Sequence, residues 1–145
     1  LHDPQNLGNA LRHALAFEAD AVIVPEHKAC PLNETVARAS VGALFTLPIF
    51  CICGTGTFLQ RMKKDGYGVI GAALEGQTGL GDDIFWPKSV IAIGSEGSGL
   101  RPSTRKLADC LVKIDHSSKI DSLNPATTAT LLCYERYRQK KANVR

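Results

Sequence analysis

The stretch Ser89-Val90-Ile91-Ala92-Ile93-Gly94-Ser95-Glu96-Gly97-Ser98-Gly99-Leu100 decides the reading of this chain. Its first half is a continuous apolar run rich in β-branched residues. Such a run reads as a strand covered on both faces, which is the environment of a parallel sheet. Its second half is a turn of glycine and serine. Glycine has no Cβ, so backbone at these positions can approach a ligand closely. In parallel α/β sheets ligands bind beyond the carboxyl ends of the strands, where this turn must lie.

Working outward, the same pattern recurs. Leu7, Ala10, Leu11, Ala14 and Leu15 mark one face of a helix over about 6–18. Residues 21–24 form a short apolar strand. A helix carrying Val36, Ala37, Ser40, Val41 and Leu44 starts at Asn33, and Pro48 closes that stretch. Strands are expected at 49–53, 67–73 and 110–114, and helices at 57–64 (ended by Gly66) and 102–108. Residues 76–83 and 116–122 read as loops. Asn124 followed by Pro125 is an N-cap and an N1 proline, opening a final helix to about residue 140. Strands alternating with helices give an α/β fold: a mostly parallel sheet with helices on both faces.

The 145 residues suffice for one domain with a real core. Hydrophobic residues at 44% and charged residues at 21% exclude a disordered or coiled-coil chain. The net charge of +3 permits an anionic partner without demanding one. Five cysteines without a CxxC pair argue against a zinc ribbon and for a reducing, cytoplasmic setting, the cysteines acting as small buried hydrophobes. No apolar stretch approaches membrane-spanning length. No histidine spacing marks a metal site.

Three segments combine small residues with a few polar side chains at strand ends or helix starts. They are Asp3-Pro4-Gln5-Asn6-Leu7-Gly8, with Arg12 on the following helix; Gly94 to Gly99; and Ile120-Asp121-Ser122-Leu123-Asn124. The glycine run is G-x-x-G-x-G, which is not the dinucleotide fingerprint, and neither a P-loop nor a G-x-S-x-G elbow occurs. From pattern alone the chain is an α/β enzyme with an anionic or nucleotide-like ligand.

Taken in register, the three segments resemble the motifs of the SpoU-type (TrmH) RNA 2′-O-ribose methyltransferases of the SPOUT superfamily. The first runs from Asp3 through Arg12 to Ala16-Phe17 and the strand Ala21–Val24, the second from Ile91 to Leu100, and the third from Ile114 through Ser122-Leu123-Asn124 to Leu132 and Glu135. The resemblance covers nearly the whole chain. It implies a deep trefoil knot near the C-terminus, S-adenosylmethionine (SAM) as methyl donor, a ribose 2′-hydroxyl of ribosomal or transfer RNA as acceptor, and a homodimer with the active site at the subunit interface. Membrane and metal play no part in it.

Carried over, the resemblance assigns Asn6, Arg12, Glu96, Ser122 and Asn124 to catalysis. It assigns Gly94, Ser95, Gly97, Ile114, Ser122 and Leu123 to the cofactor. Arginine as general base is chemically awkward, because guanidinium holds its proton tightly. Gripping the neighbouring phosphate suits Arg12 better, which leaves Glu96, water or a phosphate oxygen to take the proton.

The chain departs from the family pattern at Glu18, where glycine is usual, and at Pro125-Ala126, where Val-Ser is usual. Residues 1–145 are expected to form one methyltransferase domain lacking its first strand and any N-terminal extension. The basic cluster Arg136, Arg138, Lys140, Lys141 and Arg145 is a solvated helix face with phosphate contact as a second possibility. Two rivals stand beside this reading: a catalytically inactive knotted module that binds RNA or SAM, and an unrelated α/β enzyme acting on a nucleotide or phosphorylated metabolite.

Overall fold

A computed structural model describes residues 1–27 and 29–142. Twelve elements follow in order: α1 (Pro4–Ala16), β1 (Val22–Pro25), α2 (Glu34–Ala39), α3 (Ala43–Thr46), β2 (Ile49–Ile52), α4 (Thr55–Lys64), β3 (Gly68–Ala72), β4 (Thr78–Gly79), β5 (Ser89–Ala92), α5 (Pro102–Leu107), β6 (Cys110–Lys113) and α6 (Pro125–Ala142). Every strand pairing is parallel. The expected α/β class holds.

The strands form two sheets, β1-β2 and β4-β6-β3-β5. In the larger sheet Ile70 of β3 stands beside Ile91 of β5 and Cys110 of β6. Its core joins Ile70, Ile84, Val112 and Leu132, the last from α6. A second core gathers Leu7, Leu11 and Ala14 of α1 with Cys30, Val36, Ala43 and Leu47. Leu11, Val36, Ile70 and Leu132 are fully buried, and each such side chain contributes about 1.5–3 kcal/mol by leaving water.

Helix α1 starts earlier than expected, because Asp3 caps it by accepting from the N–H groups of Gln5 and Asn6. Asn6 therefore sits inside the first turn and not at the cap. Gly8 faces α2 so closely that a Cβ there would overlap that of Ala39. At the other end Glu18 takes a left-handed φ of 57°. It adopts the conformation glycine would, while Lys140 and Lys141 of α6 pair with its carboxylate.

Several expectations change. The strands form two parallel sheets and not the single sheet expected. The single helix over 33–44 is two helices, broken where Val41 (φ 49°) and Gly42 (φ 86°) turn left-handed. Asn33 does cap the first of them, accepting from Val36 N–H. The 76–83 loop contains the two-residue strand β4. The cysteines are also not uniformly buried: Cys30 is, whereas Cys51 and Cys53 are exposed and Cys110 and Cys133 half-buried.

Candidate functional site

A cleft of about 490 Å³ opens at the carboxyl ends of β3, β5 and β6. Its walls are the segment Ala72–Glu75 after β3, the turn 94–100 after β5, and the segment from Ile114 to Pro125 after β6. All six residues assigned to the cofactor from the sequence line it: Gly94, Ser95, Gly97, Ile114, Ser122 and Leu123. Glu96 and Asn124 line it as well.

The turn is held in shape by its own backbone. Ser95 and Gly99 exchange two N–H···O bonds of 3.1 and 3.0 Å, and the Ser95 and Ser98 hydroxyls lie 2.5 Å apart. Gly97 (φ 80°) and Gly99 (φ 62°) adopt left-handed conformations that close this short loop. A Cβ at Gly94 would overlap the backbone of Gly99 and Leu100. Glycine is therefore required there by close packing of the strand end against its own turn.

At the other side Asn124 has two tasks. Its Oδ1 accepts the N–H groups of Ala126 (2.8 Å) and Thr127 (3.4 Å), capping α6. Its Nδ2 donates to Asn6 Oδ1 at 2.9 Å, which ties the first turn of α1 to the start of α6. Asn6 thus joins the cleft through Asn124. Both asparagines also line a smaller cleft of about 350 Å³ between α1 and α6.

Arg12 is placed apart. It is exposed on α1, lines neither cleft, and has no hydrogen-bond or ion-pair partner among the described residues. Glu96 is likewise exposed and unpaired among them. Of the basic cluster on α6, Arg138 is bound to Glu135 through two hydrogen bonds of 2.8 and 2.6 Å. That pairing holds the Glu135 carboxyl below the usual carboxylate range, against the opposing effect of burial. Lys140 and Lys141 face Glu18, and Arg145 lies outside the described residues.

Sequence reasoning missed part of the cleft. Leu74, Glu75, Arg105 and Thr128 line it. Glu75 pairs with Arg105, and Arg105 also donates to Leu100 O at 3.4 Å. Ala72–Glu75 leaves the carboxyl end of a strand as the turn at 94 does. Position relative to the sheet was the available signal; the Ala-Ala-Leu-Glu composition concealed it. His116, in the same cleft, is turned back on its own chain, with Nδ1 2.9 Å from Ile114 O. Among the described residues no cluster of His, Cys, Asp or Glu could hold a metal ion, and no helix is long and apolar enough to cross a membrane.

Comparison with known proteins gives a consistent result. The chain is 36% identical over 140 residues to a putative TrmH family tRNA/rRNA methyltransferase of Staphylococcus haemolyticus, covering 97% of this chain and 56% of that protein. It is 35% identical over 137 residues to the 23S rRNA (guanosine-2′-O-)-methyltransferase RlmB of Nitrosomonas europaea, covering 94% and 53%. The crystal structure of the SpoU methyltransferase AviRb from Streptomyces viridochromogenes in complex with AdoMet superposes with a TM-score of 0.85 at 31% identity, over 97% of this chain and 58% of that one. The chain thus spans a little over half the length of these relatives. The model of the SpoU rRNA Methylase family matches residues 1–134, and the chain belongs to that family.

Proposed function

We propose that this protein transfers the methyl group of SAM to a ribose 2′-hydroxyl of ribosomal or transfer RNA. One observation carries the reading. Eight residues assigned from the second and third sequence motifs line a single cleft at the carboxyl ends of a parallel sheet, and Asn6 of the first motif is hydrogen-bonded to one of them, Asn124.

The cleft suits the cofactor. About 490 Å³ is in the range of pockets for ligands of this size. Leu74, Ile93, Leu100, Val112, Ile114 and Leu123 give apolar walls for an adenine, and the turn at 94–99 gives backbone groups free of side chains. SAM, when bound, supplies an electrophilic methyl group on sulfur. The chain's own residues then have to bind, orient and deprotonate the acceptor.

Displacement at a methyl carbon is in-line, so positioning dominates the catalytic contribution. Asn6 and Asn124, tied to each other, form the acceptor side of the cleft. Ser122 stands beside Asn124 and orients the ribose. Glu96 is an unpaired carboxylate at the cleft and is the group best suited to take the 2′-hydroxyl proton. Arg12 grips the adjacent phosphate with its forked donors. Because Arg12 lines neither cleft of its own chain, the reading places it in the site of a second copy, which gives a homodimer with interfacial active sites.

The knot belongs to the same proposal. The segment from Ile114 to Pro125 shares the cleft with both earlier loops, as a chain threaded between them would. The whole is one methyltransferase domain working in the cytoplasm with RNA, without metal or membrane.

The test is methyl transfer from labelled SAM to bulk unmodified RNA by the full-length protein, followed by alkaline digestion. Alkali does not cleave next to a 2′-O-methyl ribose. Label in alkali-resistant dinucleotides is the expected result. Label in mononucleotides would move the acceptor to a base. SAM binding without transfer to any RNA would leave the inactive binding module.

A further inference from the structure

The smaller cleft between α1 and α6 is built for a neutral, hydrogen-bonding ligand. Asn6, Asn9, His13, Asn124, Thr127 and Thr130 line it, and no Lys, Arg, Asp or Glu does. Asn124 lines the large cleft as well, so the two meet there. Asn6, Asn9 and His13 fall at i, i+3 and i+7, one polar stripe along α1.

The hydrogen bonds fix how His13 presents itself. Thr130 Oγ1 lies 2.8 Å from Ala126 O and 2.8 Å from His13 Nδ1. A hydroxyl has one proton, and a carbonyl can only accept. The Thr130 proton therefore goes to Ala126 O, and His13 Nδ1–H donates to Thr130. In a neutral imidazole the other nitrogen then carries the lone pair. Nε2 is an acceptor with no partner among the described residues. The Phe17 ring, stacked at 6.5 Å with an interplanar angle of 19°, helps hold the imidazole plane.

We infer that this cleft seats the base of the acceptor nucleotide, with His13 Nε2 accepting an N–H of its Watson–Crick edge and the Asn9 carboxamide beside it. The inference rests on the methyltransferase reading above. His13 lies seven residues from Asn6, about 10 Å along the helix axis. That separation is on the scale of a nucleoside whose ribose lies at Asn6 and Asn124. In the dimer proposed above the adjacent phosphate goes to Arg12 of the second copy, and the neutral donors and acceptors that this chain gives the cleft suit a base. A Watson–Crick edge is free only in an unpaired nucleotide, so the target is a base splayed from a loop or single strand.

Two substitutions separate contact from scaffolding. His13→Asn keeps a donor near Nδ1 for Thr130 and loses the acceptor at Nε2. His13→Gln puts an amide near Nε2 and gives up the Thr130 bond. In the full-length protein, His13→Asn is expected to raise KM for unmodified bulk RNA about five- to tenfold, as the loss of one neutral hydrogen bond requires. His13→Gln is expected to stay within about twofold of wild type on the same scale. SAM affinity and oligomeric state should not change in either.

Wild-type behaviour of His13→Asn, or equal damage in both variants, would overturn the inference in favour of a structural role through Thr130. A shift in oligomeric state would make the cleft a subunit contact and overturn it as well. Affinity for single-stranded unmodified RNA, measured by fluorescence anisotropy without SAM, should show the same order of variants. Should the wild type bind that RNA in this order yet transfer no methyl group, the catalytic reading would fall while the base-binding cleft stood.

Discussion

Asn124 Nδ2 donates a 2.9 Å hydrogen bond to Asn6 Oδ1 across 118 positions of sequence. The two residues come from different motifs, and the bond makes them one unit. Groups that act as a unit lose function together. Asn6→Ala and Asn124→Ala should each lower methyl transfer by at least about tenfold, and the double variant should be no worse than the poorer single one. Stability should separate them. Asn124→Ala also removes the α6 cap, at about 1 kcal/mol, whereas α1 is capped by Asp3 and Asn6→Ala should melt close to wild type. Multiplied defects in the double variant would show that the pair does not work as one group.

Arg12 and Leu123 test the subunit arrangement. Arg12 is exposed and outside the cleft, so Arg12→Ala should abolish transfer and leave SAM affinity nearly unchanged. Leu123→Glu should abolish SAM binding by placing a charge against an apolar wall. If each site borrows Arg12 from the other copy, mixing the two inactive variants creates one site with an intact cleft and an intact Arg12. Mixed dimers should recover activity. No recovery, with heterodimers demonstrated, would place Arg12 in its own chain's site.

Gly94 is the most tightly packed glycine lining the larger cleft. A Cβ there would overlap backbone atoms of Gly99 and Leu100, which cannot yield as a side-chain tip would. Gly94→Ala should therefore lower SAM affinity by at least about tenfold and cost about 1–3 kcal/mol of stability. Gly81 is a control, since nothing lies within 4 Å of its added Cβ and its φ is not left-handed. Equal tolerance at both positions would mean that the 94–100 turn is not held as described.

Val41 carries strain with no evident return. It is 69% exposed and holds φ at 49°, a left-handed conformation that β-branched residues rarely adopt. Asparagine tolerates this region far better. Val41→Asn should raise stability by about 0.5–1 kcal/mol, or about 1–4 °C in melting temperature for a chain of this size. A lower melting temperature would mean that Val41 makes a contact that outweighs its strain.

Much of the lining of the candidate site was legible because three motifs each place small and polar residues at strand or helix ends. The meeting of Asn6 with Asn124 was not, since no local pattern registers two residues so far apart in sequence. The break at Val41-Gly42 was hidden for a different reason. The apolar positions Val36, Val41 and Leu44 continue across it, and a Gly within a helical pattern is only a weak stop signal. The split into two sheets depends on which strands pair, and buried parallel strands read alike. Glu18 is a further case. The departure from glycine there changes the sequence and not the helix end: Glu18 takes glycine's left-handed conformation, with Lys140 and Lys141 against it.

Asp109 contributes, with Glu135, to the pH dependence of stability. It precedes β6, at the end of the sheet away from the cleft. Its carboxylate accepts Val69 N–H at 2.8 Å and Lys63 Nζ at 2.6 Å. Partial burial opposes ionisation, but the Lys63 and Val69 hydrogen bonds outweigh it and hold the carboxyl below its ordinary value of 3.8. A folded-state value below the unfolded one means that this contribution is complete above about pH 4 and fades as pH falls through the folded value. Lys63 and Asp109 are each about one-third exposed, so solvent screens the pair. Asp109→Asn should lower stability at pH 7 and flatten the loss between pH 4 and pH 2, while SAM affinity stays constant. Urea melts at pH 7, 4, 3 and 2 measure this directly. Parallel curves for the two proteins below pH 4 would show that the Asp109 carboxylate does not contribute to acid sensitivity.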